Sequence, residues 1–77
     1  MNKDDLVKKF SEVKTSLGIE KLIISLFEKH KYEKTRKGIE DFKRYLESNI
    51  KNIEQWVVEN TQKNGGIVEI LEDHLNL

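Results

Sequence analysis

Six apolar residues, Ile39, Phe42, Leu46, Ile50, Ile53 and Val57, follow one another at steps of three or four. That spacing puts all six on one side of an α-helix but splits them three and three between the two sides of a strand, so the segment must be helical with one buried stripe. The stripe carries through the polar stretch Glu47-Ser48-Asn49 without losing register. The simplest reading is one helix over 36–62, about 40 Å long at ~1.5 Å per residue. Two helices are the alternative, bent or broken near 48–50, because Ser48 and Asn49 are both good caps.

The rest of the chain repeats this pattern over shorter spans. Leu6, Phe10, Val13 and Leu17 step by four, three and four, with Val7 widening the stripe. They predict a first helix over Asp4–Ser16, capped by Asn2, with Asp4 and Asp5 facing the positive end of its dipole. Gly18 then reads as a left-handed stop. Leu22, Ile23, Ile24, Leu26 and Phe27 cover more than half of a helical wheel over Ile19–Lys31. A helix that apolar touches neighbours on two sides, as a central helix or as part of a subunit interface. The same run would suit a buried strand, but no second strand-like segment offers it a partner. Asn64-Gly65-Gly66 ends the long helix, and Ile67, Val68, Ile70, Leu71 and Leu75 predict a last, strongly apolar helix over Ile67–Leu75.

These segments predict an all-α fold, a compact bundle of four helices in a single domain over 1–77. The chain has 77 residues and no Cys, which removes disulfides and thiolate zinc sites. Regular helix packing or a second subunit must therefore supply the stability. Apolar and charged residues each make up 36% and the net charge is zero, a balance that suits a folded chain rather than a disordered one. Pro and Ala are absent while Lys, Ile, Asn and Glu abound. That bias matches AT-rich codons and points to a low-GC bacterium or its phage or plasmid.

The charges are unevenly spread. Residues 1–38 hold ten Lys or Arg against six Asp or Glu, whereas 39–77 hold four against eight. The halves can neutralise one another across the fold or present separate faces. Met1–Phe10 is mostly charged where a secretory signal needs an apolar centre, and the longest near-apolar run, Leu22–Phe27, is far too short to span a bilayer. A cytoplasmic protein without membrane association is expected.

Chemical signatures are sparse. His30 and His74 are the only histidines, far apart and without Cys or HExxH spacing, so no metal site is expected. His74 falls within the last helix's apolar face, which suits a packed or partly exposed histidine. His30 sits at a helix end, where a cation meets the negative end of the dipole. Glu69, Glu72 and Asp73 read as a solvated acidic face, because no loop supplies further oxygen ligands. Gly65-Gly66 lacks the elements of a phosphate loop. No catalytic residues and no cofactor are expected, and the chain reads as a non-enzyme.

Two segments point to binding. Trp56 and Tyr45 flank the long helix's stripe and suit interface anchors. With the broad face of Ile23, Ile24 and Phe27, they make a protein-interaction module the leading expectation: a small regulator or inhibitor whose partner is another protein or a second copy as a homodimer. Lys29, Lys31, Tyr32, Lys34, Arg36 and Lys37 form the alternative, a basic segment that contacts nucleic-acid phosphates with Tyr32 stacking. The mixed charge of the long helix's outer face and the presence of only two Arg weigh against base readout.

Overall fold

The computed structural model describes residues 3–77. The described residues form five helices: α1 (Lys3–Ser11), α2 (Ser16–Lys29), α3 (Arg36–Asn49), α4 (Ile53–Asn60) and α5 (Gly66–Leu75). There is no strand among the described residues, so the Leu22–Phe27 run is helical. The expected Asn2 cap lies outside the described residues.

The segment 36–62 is two helices rather than one, the alternative that the caps near 48–50 allowed, and this makes the bundle five helices instead of four. Ile50 leaves α3 in an extended conformation, and Asn52 takes a left-handed one at φ 60° before α4 begins. The Asn49 side-chain amide donates to the Tyr45 carbonyl at 2.7 Å, satisfying a carbonyl of the terminating helix. An unbroken helix would be longer than the molecule itself, whose longest dimension is 28 Å. Bending lets α3 and α4 both pack against α5, and this is why the apolar stripe stays in register across the break.

The N-terminal half is also divided differently from the sequence reading. α1 stops at Ser11, whose hydroxyl donates back to the Lys8 carbonyl. Thr15, not Gly18, is the punctuation. It is extended and its Oγ1 accepts the Gly18 amide at 2.9 Å, so Gly18 lies in the first turn of α2. Leu17 consequently points away from the core and is 59% exposed, against the expectation of a buried position. Thr35 caps α3 by the same arrangement, accepting the Gly38 amide at 3.1 Å. Glycine is required at Gly38, because a Cβ there would run into the Glu33 carbonyl.

α2 ends in a Schellman turn. Tyr32 N–H reaches the Phe27 carbonyl and Lys31 N–H the Glu28 carbonyl, with Lys31 itself left-handed. α4 ends at Asn60, before the Asn64-Gly65-Gly66 turn rather than at it. Within that turn Gly66 carries the positive φ, and the Glu54 carboxylate occupies the space a side chain would need.

The core is wholly apolar. Leu6 and Phe10 come from α1, Ile19, Ile23, Leu26 and Phe27 from α2, and Ile39, Phe42 and Leu46 from α3. Ile53 and Val57 from α4 and Ile67, Ile70 and Leu71 from α5 complete it. α5 is the hub, packing against α2, α3 and α4. The breadth of the α2 face is explained within the chain, since α2 meets both α5 and α4.

Candidate protein-interaction groove

The basic segment lies on the surface, and three of its cations form exposed ion pairs within the chain. Lys34 pairs with Glu28 at 3.3 Å, Arg36 with Glu72 at 3.3 Å and Lys37 with Asp41 at 3.1 Å. Tyr32 is half-buried among aromatic rings, 5.2 Å from Phe42 and 6.1 Å from Phe27 between centroids. Burial pushes its phenol above the usual 10.0. Lys29 and Lys31 are exposed and form no ion pair among the described residues. The Arg36–Glu72 pair also joins the basic first half of the chain to the acidic second half.

The remaining polar candidates are accounted for in the same way. Glu69 accepts the Gly65 amide at 2.7 Å, and Asp73 receives a 2.8 Å hydrogen bond from Lys63. That bond raises the Lys63 ammonium above 10.5. His74 lies on the surface, 3.4 Å from Glu28, rather than within the apolar face of α5. Hydrogen bonding to Lys34, opposed by burial and aided by His74, holds Glu28 below 4.5. His30 caps α2 with its ring 5.6 Å from that of Tyr45, and its Nε2 is buried without a hydrogen-bond partner among the described residues. Among the described residues no three His, Asp or Glu side chains are grouped to hold a metal ion. No helix among them is long and apolar enough to cross a membrane.

The expected apolar interface residues separate into two groups. Ile23 and Phe27 are fully buried beneath the neighbouring helices and present nothing to a partner, and Ile24 is half-buried. Tyr45 is half-buried in the aromatic cluster with His30, Tyr32 and Phe42. Trp56 stands apart from this cluster. It lies edge-on to Phe10, with centroids 6.0 Å apart and planes at 88°.

Around that Trp56–Phe10 pair runs a groove of about 410 Å³. α1 contributes Val7, Phe10 and Ser11, the bend contributes Ile50, Lys51 and Asn52, and α4 contributes Ile53, Gln55, Trp56 and Glu59. Phe10 and Ile53 are nearly inaccessible, Trp56 and Ile50 are half-buried, and Val7 is 40% exposed. The exposed lining is polar apart from Val7, and Gln55 and Glu59 hydrogen-bond to each other at 3.2 Å. The result is an apolar slot with a hydrophilic border, and no nucleophile–base pair lines it.

Of the residues expected from sequence to bind, the groove uses Trp56 alone. Val7 had read as a widening of the buried α1 stripe and Ile50 as one more stripe position. Val7's place at the edge of that stripe was the available signal for partial exposure. Comparison with known proteins returns no matching family, no similar curated protein and no similar solved structure.

Proposed function

We propose that this chain is a small, non-catalytic protein-interaction module of the regulator or inhibitor kind. Its α1/α4 groove receives the apolar side of an amphipathic helix from a partner protein. The observation that carries this reading is Trp56, a large aromatic left half-exposed over an apolar slot whose other lining residues pair it with Phe10, Val7 and Ile50. A semi-exposed Trp over a preformed apolar recess is the usual anatomy of an interface anchor. An apolar slot lined from two helices suits a third helix presenting residues at i, i+3 and i+4. The exposed ion pairs of Lys34, Arg36 and Lys37 offset part of the positive charge that the nucleic-acid alternative relies on.

The test is selection from a library of displayed amphipathic helical peptides, followed by affinity measurement against variants. Trp56→Ala is expected to weaken binding at least about 30-fold, the scale of a 2 kcal/mol anchor. Val7→Asp, at an exposed position that leaves the core intact, should weaken it at least tenfold. Peptides that keep full affinity for both variants, or a library that yields no binder to the folded wild type, would refute the assignment.

A further inference from the structure

We propose that the chain exchanges its α4–α5 unit with a second copy of itself, and that α3 and α4 straighten into one helix in the resulting dimer. This inference stands independently of the groove reading. Its basis is a conflict between sequence and conformation at the bend. From Ile39 to Asn64 the chain contains no Gly and no Pro, so nothing in its composition forbids a continuous helix. The stripe from Ile39 to Val57 keeps helical register across the bend. Yet Asn52, a residue with a Cβ, is held left-handed at φ 60°, and its side chain makes no capping hydrogen bond to α4. Asn adopts the left-handed region more readily than other residues with a Cβ, but that region still lies above the helical one, so straightening relaxes the hinge.

Straightening cannot occur within one compact molecule. A helix over α3 and α4 is about 37 Å long, and the molecule's longest dimension is 28 Å. It would carry α4 and α5 away from α2 and from the part of α3 they cover. Ile67, Ile70 and Leu71 of α5 would then be stripped of their partners. The surface that fits this unit is the one it has just left, and a second opened copy presents an identical one. Every contact of α5 with α2 and α3 is then rebuilt between chains, including the Arg36–Glu72 pair. The new cost is association, offset by two relaxed hinges, the general route to domain-swapped dimers.

Two substitutions at the exposed Asn52 drive the equilibrium in opposite directions. Asn52→Gly suits the left-handed bend and weakens a helix interior, so it should hold the protein monomeric. Asn52→Ala does the reverse. At about tenfold per hinge, with two hinges per dimer, it should raise the dimerisation constant about a hundredfold. Light scattering on wild type and both variants, refolded over a range up to millimolar concentration, reads the masses. Nitroxide labels on Lys37→Cys and Asn60→Cys then read the hinge. In a straight helix their backbones lie about 34 Å apart, longer than the bent molecule's longest principal dimension of 28 Å. The expected result is a dimer enriched by Asn52→Ala and depleted by Asn52→Gly, with the long separation within each chain. If Asn52→Ala stays monomeric at the highest concentration, or its dimer keeps the short separation, the exchange does not occur.

Discussion

Removing the Glu54 carboxylate should loosen the start of α5 although Glu54 belongs to another helix. The Gly65 N-cap has no side chain with which to cap α5, and the Ile67 amide donates instead to Glu54 Oε1 at 3.0 Å, thirteen residues back in the chain. An N-terminal capping bond contributes about 1 kcal/mol. A carboxylate at the positive end of the helix dipole adds roughly 0.5 kcal/mol. Glu54→Ala is therefore expected to cost about 1.5 kcal/mol, a fall of about 8 °C in Tm for a domain of this size. Glu54→Gln keeps an acceptor oxygen and should cost only about 0.5 kcal/mol. The same carboxylate fills the space where a Gly66 side chain would go. Gly66→Ala thus suffers twice, from its φ of 67° and from collision with Glu54. In the Glu54→Ala background only the first penalty remains, so the double variant should be at least about 1 kcal/mol more stable than the sum of the singles implies. Urea unfolding followed by Trp56 fluorescence and far-UV circular dichroism measures all four proteins. If Glu54→Ala unfolds within about 0.3 kcal/mol of wild type, or the two substitutions add, the cross-helix cap does not hold α5 in place.

The cap of α3 and the alkaline limit of stability offer two further checks. Gly38→Ala should destabilise by about 2 kcal/mol in urea because its Cβ meets the Glu33 backbone, whereas Thr35→Ala, which loses the Gly38 capping bond, should cost about 1 kcal/mol. Lys63 is raised above 10.5 by its hydrogen bond to Asp73, and Tyr32 above 10.0 by burial. In each the fold favours the protonated form, so these contributions are complete below those ordinary values and are lost as pH rises through the raised ones. Urea midpoints taken from about pH 8 to 11 should therefore fall at the alkaline end, and Tyr32→Phe should flatten the fall.

Periodicity located the core well. Ile39, Phe42, Leu46, Ile53 and Val57 are buried as their spacing requires, and so are Leu6, Phe10, Ile23, Leu26 and Phe27. It could not locate the ends of helices. A stripe at steps of three and four describes which side of each turn is apolar and is blind to a change of axis when both segments face the same neighbour. α5 is that neighbour for α3 and α4. The punctuation lay in local chemistry. Thr15-Ser16-Leu17-Gly18 and Thr35-Arg36-Lys37-Gly38 share one pattern, a Thr whose hydroxyl caps the amide of a Gly three residues on. A Gly after an apolar position is a common helix stop, and reading Gly18 that way hid the start of α2 at Ser16. His74 shows the same weakness at finer scale: its place on the wheel is near the apolar side, but Glu28 of α2 meets it at the surface.

The groove was still less legible, because it is a product of the bend. Val7 and Phe10 lie forty residues or more from Ile50, Ile53 and Trp56, and only the change of direction at Ile50–Asn52 brings Trp56 against Phe10. Length explains why the bend occurs. With no Cys to staple a small core, the chain must bury its stripe against itself, and a straight helix from α3 through α4 would overhang everything available to cover it. One local rearrangement thus gives the molecule both its compactness and its slot. It also ties the two proposals together. Four lining residues, Ile50, Lys51, Asn52 and Ile53, sit at the bend, and straightening would dismantle the slot. A helix seated against Trp56 binds the bent form and not the straight one. By linkage it stabilises the bent chain by RT ln(1 + [L]/Kd) and must suppress exchange in the same proportion. Conversely, Asn52→Ala should weaken groove binding at high protein concentration although it alters none of the apolar side chains that line the slot.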